Sequence, residues 1–303
     1  MCCPGAYRQA QKELIESFEN KVTEALKNPD YQKGYDTLNL DNIAGYTPNM
    51  GPKTIAKLIA DSDFTAEQIG SLMRQRERIN LDTVQRLSEG FMKEMKSAGG
   101  TARPMPQTLY LALTHIFSPG ECAGLSTAMA MAIMDGSENT LLDNLVIAAA
   151  RPNLAENAAF LESITKLENS MMYQPQLHAG SGALVPVDGI IKKMSKATST
   201  TAWLLSSDEH AMVAGVRIDP TNISKKIWYF YEPSYGLAKF ESEKAMKAGV
   251  NKLLKNGPIG TSQVHFGTPS KPLYGMSVFN ENNLAKENWS IADVKKLSQP
   301  IGS

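Results

Sequence analysis

The sequence predicts an α+β fold: a helical N-terminal region over residues 1–100, then a region over 101–303 built around an antiparallel sheet. Three observations predict it. Residues 7–98 carry apolar side chains at helical spacing throughout. From about residue 199, short β-branched and aromatic runs follow one another with turn formers between them. Helices first and adjacent strands afterwards exclude a doubly wound parallel sheet, in which the two would alternate. Between the regions, Ser97-Ala98-Gly99-Gly100 followed by Pro104 and Pro106 reads as a linker.

Residues 9–26 place Leu14, Ile15, Phe18, Val22 and Leu26 on one helical stripe. Thr65 opens a second helix with Gln68 as its capping-box partner. A third run, 81–95, carries Val84, Leu87, Phe91 and Met95. After Pro119-Gly120 a helix puts Leu125, Ala128, Met129, Ala132 and Ile133 on one face and ends at Asp135-Gly136, where glycine permits the left-handed cap. Helices follow near 138–149 and 153–172, a Gly/Pro/Ser loop over 174–186, and a short helix over 189–196 opened by Asp188. Strands are expected at 200–205, 211–218 and 226–231, a helix at 240–255 and a last strand at 273–279.

Composition narrows the function. The 303 residues are 42% apolar and carry 31 basic and 31 acidic side chains, so the net charge is zero. Coating nucleic acid or anionic lipid needs a basic surplus. No run of 18 apolar residues is present, and the first residues lack a basic region followed by an apolar stretch, so neither a membrane span nor a signal peptide is expected. Three cysteines form no disulfide framework. The four histidines (His115, His178, His210, His265) show no paired spacing and no CxxC exists, so no metal and no other cofactor is expected. Cys2-Cys3 are candidate lipidation sites, but an unstructured terminus is the favoured reading. N-myristoylation is excluded because Cys2 stands where glycine is required.

Three segments carry plainer readings than their patterns suggest. Asp41 to Thr54, with Gly51 and Lys53, resembles a helix-hairpin-helix phosphate-binding turn, but residues 1–100 hold 13 basic and 14 acidic side chains, so no nucleic-acid partner is expected. Met129, Met131 and Met134 read as core, and the run from Arg74 to Arg78 as a solvated helix face.

Chemistry is expected at a hairpin mouth. A turn centred near Thr221 would pair Met212 with Phe230 and Ala214 with Trp228, and would set His210 opposite Glu232. A carboxylate there fixes the imidazole tautomer and stabilises the imidazolium. Cys122, the sole internal cysteine, sits at a predicted helix N-terminus, a position that favours thiolate. Its N–H is a candidate oxyanion donor, and Gly120, Ala123 and Gly124 would admit a substrate backbone. Equally, Cys122 shares a helical stripe with Leu125, Met129 and Ala132, and is then plain core.

Gly120-Glu121-Cys122-Ala123-Gly124-Leu125-Ser126, then His210-Ala211-Met212, then Glu232-Pro233-Ser234-Tyr235-Gly236, resembles the YopT-type cysteine peptidases of bacterial effectors and toxins, over roughly residues 115–245. The resemblance implies a papain-like core with Cys122 as nucleophile, His210 as base and Glu232 in place of the family's usual aspartate. It leaves the oxyanion side chain unmatched, with Ser118 in the neighbourhood and Asp208 as a rival acid. It implies a host protein substrate, membrane-associated substrates included, and delivery into a host cell by a route independent of a signal peptide; otherwise the protein would be cytoplasmic. The same triad would serve acyl transfer to lysine or glutamine deamidation. The competing class is a non-enzymatic helical interaction protein in which the three residues are structural.

Overall fold

The computed structural model describes residues 4–114, 120–172, 184–207, 210–219, 221–287 and 289–301. The chain forms two compact units: residues 1–85 with 111–119, and residues 86–110 with 120–303.

The first unit is helical. α1 (Pro4–Leu26), α2 (Pro29–Thr37), α3 (Pro52–Asp61) and the first part of α4 (Ala66–Ser97) enclose Phe18, Val22, Ile55, Ile59 and Leu72. Ala25 is buried where Leu26 was expected, and Leu26 is exposed. The capping box forms as expected: Gln68 N–H donates to Thr65 Oγ1 at 3.2 Å, and Thr65 N–H to Gln68 Oε1 at 3.0 Å. The helices read at 65 and at 81–95 are one helix of 32 residues, because no proline interrupts the pattern between them. Helix does not continue through 38–51. Leu38 and Asn42 take positive φ, and Gly51-Pro52 opens α3, so the 41–54 segment is a turn-rich connection leading into that helix. Arg76, expected in solvent, is buried with its guanidinium 5.6 Å from the Phe18 ring centre.

The second unit carries an antiparallel sheet in the order β1-β6-β5-β4-β3-β8-β2, with β7 paired to β8. Its strands are β1 (Thr101–Pro104), β2 (Val185–Pro186), β3 (Thr201–Ser206), β4 (Ala211–Asp219), β5 (Asn222–Glu232), β6 (Gly236–Phe240), β7 (Phe266–Thr268) and β8 (Lys271–Val278). The stretch read as a linker therefore contains an edge strand; Pro104 is tolerated because it closes that edge. The unit boundary falls inside α4, ahead of the expected position at residue 100. Phe240 ends β6, and the helix expected from that residue starts at Glu243, capped by the Ser242 hydroxyl.

Helices cover both sheet faces. Met212, Ala214, Val216, Trp228 and Phe230 pack with Ile190 and Met194 of α9 (Val187–Lys196) and with Met246 and Val250 of α10 (Glu243–Leu254). On the opposite face Gly215 lies against Ile133 of α6 (Cys122–Asp135). α6 is buried from Ala123 to Ile133, and Gly136 ends it at φ +77° as expected. α5 (Gln107–Leu113), α7 (Glu138–Ala150) and α8 (Ala155–Met172) lie between β1 and β2 in the chain; α11 (Gly257–Ser262) precedes β7, and a 3-10 turn (Glu281–Glu287) and α12 (Ile291–Lys296) follow β8.

Candidate active site

Helix α6 begins at Cys122, after Gly120 at φ +150° and Glu121 as its N-cap. That φ favours glycine. Cys122 is partly exposed, whereas the eleven residues that follow it are buried, so the thiol stands at the mouth of the helix and not in its core. Gly124 does not face an incoming backbone as expected. Its missing side chain lets α8 approach: a Cβ at 124 would meet Glu168 N at 2.7 Å and Ile164 O at 2.9 Å.

His210 immediately precedes β4, and its carbonyl accepts the Ser207 N–H at 2.9 Å. Asp208 and Ser118 lie outside the described residues, as do His115, His178 and residues 174–183 of the expected loop. Glu232 ends β5 and is fully buried. Its Oε1 makes a short hydrogen bond with His210 Nε2 and accepts the Ser234 N–H at 3.2 Å. With Nε2 committed to Glu232, Nδ1 is the nitrogen left for Cys122, whose side chain hydrogen-bonds the imidazole. The three residues singled out from the sequence therefore come together.

The expected register is corrected. Ala214 pairs with Phe230 and Val216 with Trp228, a displacement of two residues, so His210 and Glu232 are diagonal and not directly opposite. An irregularity between Ile218 and Asp219 absorbs the extra residues at the start of β5. An even displacement keeps every side chain on its face, and a glutamate is long enough to span the diagonal.

Burial works against the imidazolium, but the Glu232 carboxylate and then Cys122 outweigh it, and His210 is pushed up to about 10. Around neutrality the imidazole is held charged beside the thiol.

Three residues were not singled out from the sequence. Gln107 accepts the Glu121 N–H on Oε1 at 2.7 Å, donates its own N–H to Pro233 O at 2.7 Å, and reaches Ser234 Oγ with Nε2 at 3.5 Å. It joins the segment ahead of Cys122 to the turn behind Glu232. Glu121 and Glu168 are buried carboxylates at the start of α6. Isolated polar residues carry no periodic signal, and only the chain's path brings them to the site. Among the described residues no group of three or more His, Cys, Asp or Glu could hold a metal ion, and no helix is long and apolar enough to cross a membrane.

An antiparallel sheet packed on a buried helix that opens with a thiol, beside an imidazole–carboxylate pair, defines the class. The crystal structure of PatoxP, a cysteine protease-like domain of the Photorhabdus asymbiotica toxin PaTox, superposes with a TM-score of 0.55 over 95% of this chain and 94% of that one, at 17% sequence identity. The protein thus has a cysteine protease-like fold of the bacterial effector kind. The Mcf1 protease effector domain family matches residues 11–300, and the chain belongs to that family. No curated protein matches it.

Proposed function

We propose that the protein is a thiol peptidase of the YopT-like, papain-like kind, acting on a host protein after delivery into the host cell. The observation that carries the reading is the linked contact Cys122–His210–Glu232, with Glu232 buried and His210 held charged between the two. Membership of a protease effector family supports a host protein as substrate.

In this reading the Cys122 thiolate attacks the scissile carbonyl carbon. The carbonyl oxygen takes the negative charge and is met by the Cys122 N–H and by Gln107 Nε2, whose bond to Ser234 Oγ is long enough to exchange. His210 gives its proton to the leaving amine, which leaves an acyl-enzyme at Sγ. Neutral His210 then takes a proton from water, and the hydroxide carried by that water releases the acid and restores the thiolate–imidazolium pair. Glu232 orients the ring and stabilises its charge, and it transfers no proton. Acyl transfer to lysine and glutamine deamidation share the acyl-enzyme and differ only in what enters or leaves.

The test is intact-mass detection of a covalent adduct with a thiol-directed peptide electrophile. One adduct is expected on the wild type and none on Cys122→Ala, with turnover abolished in Cys122→Ala and in His210→Ala. Equal labelling of the wild type and Cys122→Ala would sink the reading. Product analysis of host lysate separates peptide cleavage from transfer and deamidation.

A further inference from the structure

Two more carboxylates are buried against the start of α6. Glu121 is bound by hydroxyls: Thr165 Oγ1 donates to its Oε1 at 2.6 Å and the Tyr110 hydroxyl to its Oε2. Glu168, 5% exposed, reaches across from α8 and accepts the N–H groups of both residues after the cysteine: Gly124 at 2.6 Å on Oε2, and Ala123. A neutral Ser or Asn would cap these amides without burying a charge. The charge itself therefore needs a reason.

Its surroundings supply one. The titratable groups that face Glu168 among the described residues are Glu121 at the start of α6, His210 ahead of β4, and Tyr110 of α5, and Cys122 stands in the chain between Glu121 and the Ala123 whose N–H Glu168 accepts. His210 is the one cation among these groups. Burial pushes the Glu168 carboxyl up to about 7, and Glu121 adds to the rise, against the two amides and His210. The carboxyl that is raised in this way is bonded to the N–H of the residue next to the thiol-bearing one.

We propose that Glu168 is a positioning residue of the thiol centre, which anchors the first turn of α6 and sets by its charge how readily Cys122 loses a proton. The inference rests on Cys122 being the nucleophile. As an anion Glu168 grips the two amides and opposes a second negative charge beside them. As a neutral acid it still accepts from the backbone and opposes nothing. The restraint on the thiol thus grows as pH rises through neutrality.

The test is the rate of Cys122 alkylation by iodoacetamide against pH, read by peptide mass, in the intact chain. Glu168→Gln should move the midpoint of thiol reactivity down, so that at a fixed pH below it about tenfold more Cys122 reacts. Glu168→Asp keeps the charge and should leave the midpoint near that of the wild type. A purely structural role would change both variants alike and move neither midpoint. If Glu168→Gln fails to fold, the wild type decides: its rate–pH curve should bend twice, one of the bends near neutrality. A single bend, or an unmoved midpoint in Glu168→Gln, overturns the proposal. A wild-type Cys122 that does not alkylate at any pH sinks the peptidase reading instead.

Discussion

Replacing Glu232 with glutamine tests whether one buried carboxylate holds the charge on His210. Side-chain exposure is 15% for His210 and 1% for Glu232, so water screens their interaction weakly. Burial alone would leave the imidazole neutral; Glu232 first and Cys122 second raise it from 6.5 to about 10. At about 1.4 kcal/mol per pH unit, and within the range for breaking a buried pair, that preference is worth about 3–5 kcal/mol. In Glu232→Gln the amide oxygen still accepts from Nε2 but carries no charge, so only Cys122 is left to oppose burial. The His210 midpoint should fall well below the wild-type value of about 10. The assay is an NMR titration of the His210 Cε1–H from about pH 5 to about pH 11, assigned with His210→Asn. Stability follows with a fixed sign, because a raised folded-state value favours the protonated native form. The contribution of the pair is full below 6.5 and is lost as pH rises through about 10. The urea-unfolding gap between wild type and variant should narrow over that window. A wild-type midpoint near the ordinary histidine value, or a midpoint unmoved by Glu232→Gln, would refute the reasoning.

Two further predictions concern the elements that hold Cys122. Gln107→Ala should lower kcat about 10²–10³-fold with little change in KM, since an oxyanion donor acts on the transition state; an unchanged kcat would remove Gln107 from the mechanism. Gly124→Ala should destabilise the protein by about 1–3 kcal/mol and lower activity, because the new Cβ meets the α8 backbone at 2.7 Å; denaturant midpoints equal to wild type would show that α8 yields.

The fold class was legible where patterns were long. The stripes of α1 and α4, the Thr65–Gln68 box and the Gly136 cap all follow from local chemistry. The short strands β1 and β6 were not legible. Four or five residues containing Gly or Pro have no distinctive period, and only pairing with a neighbour makes them strands. At the site, parity was legible and register was not. Alternation fixed which face His210 and Glu232 share, while the irregularity beside Asp219 shifted the pairing by an even step that alternation cannot detect. Glu168 gave no signal, because its role comes from an α6–α8 contact that a glycine on the other helix makes close.

The first turn of α6 shows how a buried helix presents one reactive end. Every helix leaves its first four N–H groups without an intrahelical partner, and inside a protein each must find one. Here Glu121 N–H goes to Gln107, and Ala123 and Gly124 N–H go to Glu168, while Leu125 N–H makes the first helical bond to Glu121 O. The remaining donor is the N–H of Cys122, which no described residue accepts. A neutral helix start would offer several donors to solvent or to any anion. Among the described residues this one leaves the N–H of the thiol-bearing residue without an acceptor, with the Gln107 amide beside Gly120, 3.4 Å from where a Cβ would stand. Under the proposed reading that is where an oxyanion forms when Sγ bonds to a carbonyl carbon. The buried carboxylate that looks costly in isolation occupies the neighbouring amides and leaves the Cys122 N–H, beside the sulfur, as the donor for that oxyanion.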